Sequence, residues 1–103
     1  MYAFQMDVEQ PVEMYEQVHA EVERVTGQPL PEHCHLHLAT RTPSGFRITE
    51  VWDTHEDADR FGDEVVRPII EKAMGRPAPP EDAPPSQELD LLVLETGRRL
   101  ASA

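Results

Sequence analysis

The order of hydrophobic patterns in this 103-residue chain predicts an α+β fold, a ferredoxin-like β-α-β-β-α-β arrangement. Three observations carry that reading. Period-two alternation marks strands at the start of the chain and around Thr42-Pro43-Ser44-Gly45. Two helical stripes separate them. A run too apolar for a half-solvated strand closes the order.

In the first strand Tyr2, Phe4, Met6 and Val8 alternate with Ala3, Gln5 and Asp7. Pro11 suits the first turn of a helix, where its missing N–H costs nothing. Over residues 12–26, Tyr15, Val18, Val22 and Val25 share one face, and Gly27 fits the left-handed position that ends a helix. The second strand spans about 34–41 and the third 46–52. Thr54 then caps a second helix, with Glu56 and Asp57 placed to complement its dipole. Its stripe of Ala58, Phe61, Val65, Val66, Ile69, Ile70, Ala73 and Met74 is interrupted by Pro68. That proline must kink or split the helix, because it removes the bond to the Glu64 carbonyl. Residues 76–86 hold Pro77, Pro79, Pro80, Pro84 and Pro85 and form an extended loop inside the domain. The fourth strand, 88–95, includes Leu89, Leu91, Leu92, Val93 and Leu94 and is apolar enough to be covered on both faces. Residues 1–96 thus make one domain, and 97–103 a frayed tail. Both helices lie on one face of the antiparallel sheet, so a second copy is the economical cover for the other.

Composition narrows the function. A formal charge of −11 disfavours nucleic acid and anionic membranes, whose recognition needs a basic patch. The single Cys34 excludes an intramolecular disulfide and any C-x-x-C site. Without a signal-peptide pattern or a membrane-length apolar run, the chain is expected to be cytoplasmic. No Gly-rich phosphate loop is present, and Cys34 and His35, as strand neighbours, point apart and make no dyad.

The densest chemistry is in Glu32-His33-Cys34-His35-Leu36-His37-Leu38. On a regular strand all three imidazoles share one face, spaced about 7 Å for i,i+2 and about 13 Å end to end. Two can share an ion, but a third ligand must come from Glu50, His55, Asp7 or a partner subunit, so no metal site is expected.

Hairpin register decides where the stripe points. Pro43 and Gly45 suit a type I turn with a glycine bulge, which pairs Thr42 with Phe46, Leu38 with Glu50 and Leu36 with Trp52. Cys34, Leu36, Leu38, Phe46, Ile48 and Trp52 then form an apolar face around Glu50. The histidines turn outward, toward a dimer partner, where their protonation would tune assembly. A one-residue slip would instead pair His37 with Glu50 and His35 with Trp52, mixing polar and apolar residues on both faces.

Several segments resemble a known group: Leu36-His37-Leu38-Ala39, Gly45-Phe46-Arg47-Ile48, Glu50-Val51-Trp52-Asp53-Thr54, Phe61 and Pro68. Across roughly residues 1–95 the chain resembles small proteins of the dimeric α/β-barrel superfamily, near the antibiotic-biosynthesis monooxygenase (ABM) domains. The resemblance implies a homodimer of packed sheets with a pocket between helices and sheet in each protomer. There, some members oxygenate aromatic polyketides without a cofactor and others bind and degrade haem. Members typically use Asn and Trp, with His in some. Trp52 matches the tryptophan position, whereas this chain has no asparagine, and His55 opens the second helix rather than lying within it.

Trp52, Phe61, Tyr15, Glu50 and His37 are the expected ligand-binding set, with Glu50 or His37 as the proton-transfer group. A Glu50 carboxylate desolvated by Leu38 and Trp52 would be raised in pKa and suited to abstracting a proton from a phenol or enol. The leading expectation is a cofactor-independent monooxygenase, or binder, for a small, flat, apolar molecule. The alternatives are a non-catalytic accessory homodimer with a His-tuned interface, and a metal- or haem-binding protein using His-x-His.

Overall fold

A computed structural model describes residues 1–97. The strands are β1 (Tyr2–Val8), β2 (Cys34–Thr42), β3 (Gly45–Trp52) and β4 (Ser86–Leu89). The helices are α1 (Val12–Thr26), α2 (His55–Phe61) and α3 (Arg67–Met74). The sheet runs β2-β3-β1-β4 and every neighbouring pair is antiparallel, as a ferredoxin-like fold requires. Among the described residues, no helix is long and apolar enough to cross a membrane.

The helix boundaries follow the local chemistry. Pro11 lies just outside α1, at its N-cap, and its carbonyl accepts from Met14. Gly27 (φ 71°) and Gly75 (φ 67°) end α1 and α3 in the left-handed region, each bonding back to a helix carbonyl. Thr54 caps α2, its hydroxyl accepting from the Asp57 N–H at 3.1 Å. Pro68 does split the second helix. A π turn over Gly62–Val66 separates α2 from α3, and the Arg67 N–H bonds to Gly62 O. The wider turn lets the chain reach Pro68, which has no N–H to donate, without leaving the helical path.

Two expectations are overturned. Thr42 pairs with Gly45, not Phe46, so only Pro43 and Ser44 form the turn. Gly45 is not in the left-handed region. It is a close-approach glycine: a Cβ there would overlap the Val8 carbonyl oxygen and crowd the Gln10 backbone. The slipped register is therefore the real one near the turn, with His37 opposite Glu50 and Leu38 opposite Thr49. A bulge between Cys34 and Leu36 then sets Cys34, rather than His35, opposite Trp52.

The second correction is β4, which ends at Leu89 instead of reaching residue 95. Because Ala3 pairs with Leu89 and β1 begins at Tyr2, little of β1 remains for the chain to pair with beyond Asp90. Leu92 and Val93 consequently stand exposed, at 91% and 70%. Of the expected tail, residues 98–103 lie outside the described residues.

Phe4, Cys34 and Trp52 form the centre of the helix-side core, with Tyr2, Met6, Leu30, Ala58 and Phe61 packed around it. Ala3 and Val51 pair on the opposite face and are also buried.

The two uses of glycine separate experimentally. Gly45→Ala should lower stability by about 3 kcal/mol, since its Cβ meets backbone rather than a flexible side chain. Gly62→Ala, in open space with helical dihedrals, should raise it by about 0.5–1 kcal/mol. Denaturant midpoints for the two variants check both signs.

Candidate functional site

Glu50 sits on the central strand β3, flanked by Phe4 on β1 and His37 on β2, and faces the helices. A carboxylate there is costly unless its oxygens are bonded. One oxygen accepts from the Trp52 Nε1–H at 3.0 Å, and the other contacts His37 Nδ1 at 2.6 Å. The His37 Nε2 atom lies 2.7 Å from the Tyr15 hydroxyl, brought in by α1. Both Glu50 and His37 are mostly shielded from solvent.

Donor and acceptor bookkeeping assigns the protons. Of the two ring tautomers, the one with its proton on Nδ1 suits an acceptor-only carboxylate at Glu50 and leaves Nε2 to face Tyr15. Tyr15 must then donate to Nε2. Burial, with the Glu50 and Glu23 charges, pushes the Tyr15 phenol up to about 12, which keeps it a donor at neutral pH. Trp52, Glu50, His37 and Tyr15 are thus bonded in one continuous series.

The expected set of five is brought together, in two adjoining parts. Tyr15, His37, Glu50 and Trp52 are hydrogen-bonded in series. Phe61 packs on Trp52 with ring centroids 5.4 Å apart. A cleft of about 340 Å³ opens beside those two rings, lined also by Gln28, Pro31, His33 and Val65, and Glu50 is not on its wall. Trp52 is therefore the partition: its ring borders the cleft and its N–H reaches the relay. Leu38, expected beside Glu50, lies on the other face and is 47% exposed.

Sequence reasoning missed His19. One helical turn beyond Tyr15, it stacks on both Tyr15 and His37 with centroids 5.4 Å away, and lies 3.5 Å from Glu23. The i,i+4 spacing of Tyr15 and His19 was the available signal.

The outward histidine stripe does not exist. His37 turns inward, and the bulge and a left-handed His33 (φ 71°) bring His33 and His35 to Asp53, just past β3. His33 Nδ1 lies 3.0 Å from Asp53 Oδ2, and His35 Nε2 lies 2.5 Å from Oδ1. The hydrogen bonds from His35 and then His33 hold the Asp53 carboxyl below the usual range, and the Asp53 bond raises His33. The three third ligands anticipated within this chain do not join this group. Glu50 bonds His37, His55 stacks on Tyr2 at 4.2 Å, and Asp7 pairs with Arg47. Cys34 is buried, its Sγ 3.4 Å from Leu36 O, and burial pushes its thiol up to about 12, so no thiolate nucleophile is available.

No known family model matches the chain, and no curated protein matches it.

The relay has a pH signature. Tyr15 is neutral in the fold up to about 12 but ionises near 10 when unfolded, so the unfolded chain releases the proton first. Stability should be unaffected by this group below pH 10 and fall as pH rises toward 12. In Tyr15→Phe that alkaline loss should shrink, together with the late phenolate absorbance at 295 nm.

Proposed function

We propose that this chain binds a small, flat, apolar molecule bearing an acidic hydroxyl or enol, and removes its proton through the His37–Glu50 pair. The carrying observation is the 2.6 Å contact between Glu50 and His37, which leaves His37 Nε2 as a base capped only by Tyr15. The Tyr15 hydroxyl marks where a substrate hydroxyl would dock. Aromatic rings of Tyr15, His19 and Phe46 around that point suit a planar ligand. On proton transfer the imidazolium forms against Glu50, which stabilises it in a partly desolvated setting.

The resemblance to ABM-like proteins gives the specific version, a cofactor-independent monooxygenase. The electron-rich anion reduces dioxygen directly, and a CH₂ group becomes a carbonyl with release of water. Anthrone, which enolises and yields anthraquinone, is a suitable probe. Trp52, the single tryptophan, bonds Glu50 directly, so its fluorescence should change on ligand binding. Anthraquinone formation should drop ~10²–10⁴-fold in His37→Ala and in Glu50→Gln, the range for losing a general base. Unchanged rates in both variants, or no fluorescence response to anthrone, would count against this reading.

A homodimer accompanies it. It is supported by Leu38 on the face away from the helices and by the exposed Leu92 and Val93 beyond β4. A non-catalytic accessory role would rest on the same surface. Its histidine tuning is not retained, because His37 faces the helices and His33 and His35 are engaged by Asp53. Light scattering should give twice the 11.7 kDa chain mass, and Leu92→Asp with Val93→Asp should return it to the monomer.

A further inference from the structure

We propose that His33, Asp53 and Asp57 form a binding site for a first-row divalent cation of the zinc class, with His35 as its positioning residue. The site is independent of the His37–Glu50 relay. One ligand atom from each of the three lies within 4.8 Å of the others. Two nitrogen or oxygen ligands about 2.1 Å from a tetrahedral ion are themselves about 3.4 Å apart. His33 Nδ1 and Asp53 Oδ2, at 3.0 Å, already stand near that separation, so an ion can replace the proton they share. Asp57 must close in by about 1 Å or somewhat more, a side-chain movement at the start of α2.

The donor set is chemically apt. One imidazole and two carboxylates suit zinc, cobalt or nickel better than calcium, which takes six or more oxygens. His35 Nε2 holds the Asp53 oxygen that His33 leaves free, the usual way an outer imidazole orients a ligating carboxylate. Only His33 of the His-x-His motif would ligate, and Asp53 and Asp57 supply the other two donors. Asp57 is shared with the helix cap, accepting from the Thr54 hydroxyl at 2.9 Å, and the Arg60 guanidinium stands 3.4 Å from its other oxygen. That guanidinium opposes a metal here, and it is largely exposed, free to swing away.

His33 and Asp57 both line the cleft beside Trp52 and Phe61. Three protein ligands leave a coordination position open, and it would face that cleft. A bound ion would therefore present a Lewis-acidic position over an apolar floor, fitted to a ligand with one anionic oxygen on a hydrophobic body. The chain's net charge of −11 favours cation uptake generally, so the test must separate a built site from diffuse binding.

Calorimetric titration of the purified full chain with Zn²⁺, and with Co²⁺ followed by visible absorption, provides it. The expected result is one saturable site per chain with the Co²⁺ spectrum of a tetrahedral or five-coordinate N/O environment. His33→Asn, whose side chain tolerates the left-handed backbone, and Asp53→Asn should each abolish that site. His35→Ala should weaken it about 10–100-fold. Arg60→Ala should tighten that single saturable site without adding further sites. His55→Ala, removing the separate His55–Asp59 pair, should leave it unchanged. Equal affinity in wild type, His33→Asn and Asp53→Asn, or multiple weak sites only, would overturn the proposal.

Discussion

The constraint on which the rest depends is the close approach of the β1 end to the β2–β3 hairpin at Gly45. The Val8 carbonyl occupies the space a side chain would need, and the strand stays extended through the glycine. With Gly45 inside the ladder opposite Thr42, the turn shrinks to two residues. Since side chains alternate with period two, that single residue of register sends His37, Ala39 and Arg41 to the helix side and Leu36 and Leu38 to the other. Everything chemical about the helix-side layer follows from it.

Once His37 faces Glu50, the polar residues in that layer become mutually necessary. A lone carboxylate on the central strand would carry a desolvation penalty of several kcal/mol. With Trp52 and His37 donating to its two oxygens, and Tyr15 donating onward, every polar atom in the series is bonded, and no buried side-chain atom among the described residues is left without a partner. Removing one member strands its neighbour at roughly 1–3 kcal/mol. The network thus sets the orientation of Trp52 and Tyr15 as much as it prepares a base.

The β2 start obeys a different rule. A regular strand would keep His33, His35 and His37 in line, but the bulge before Leu36 and the left-handed His33 break the alternation. The benefit of a left-handed histidine is local: both upstream imidazoles close on Asp53, which follows Trp52 where β3 ends. Positive φ at a non-glycine residue costs about 1–2 kcal/mol, so the Asp53 pairings and the Asp53 N–H bond to His33 O act against a real penalty.

By itself the sequence determined the element order, both left-handed helix ends, the Thr54 cap and the break at Pro68, because each is decided by contacts within a few residues. It also named Tyr15, His37, Glu50, Trp52 and Phe61, since aromatic and titratable side chains on amphipathic elements have few places to go. Tertiary structure decided which of them touch. Gly45 reads in sequence as a turn glycine, and only the neighbouring strand β1 reveals that it is a packing glycine. Residues 88–95 read as one strand, and only the short reach of β1 ends it at Leu89. His19, Asp53 and Asp57 carry no motif. They become chemical neighbours of the histidines because long-range pairing brings together residues that are 18 or more positions apart in the chain.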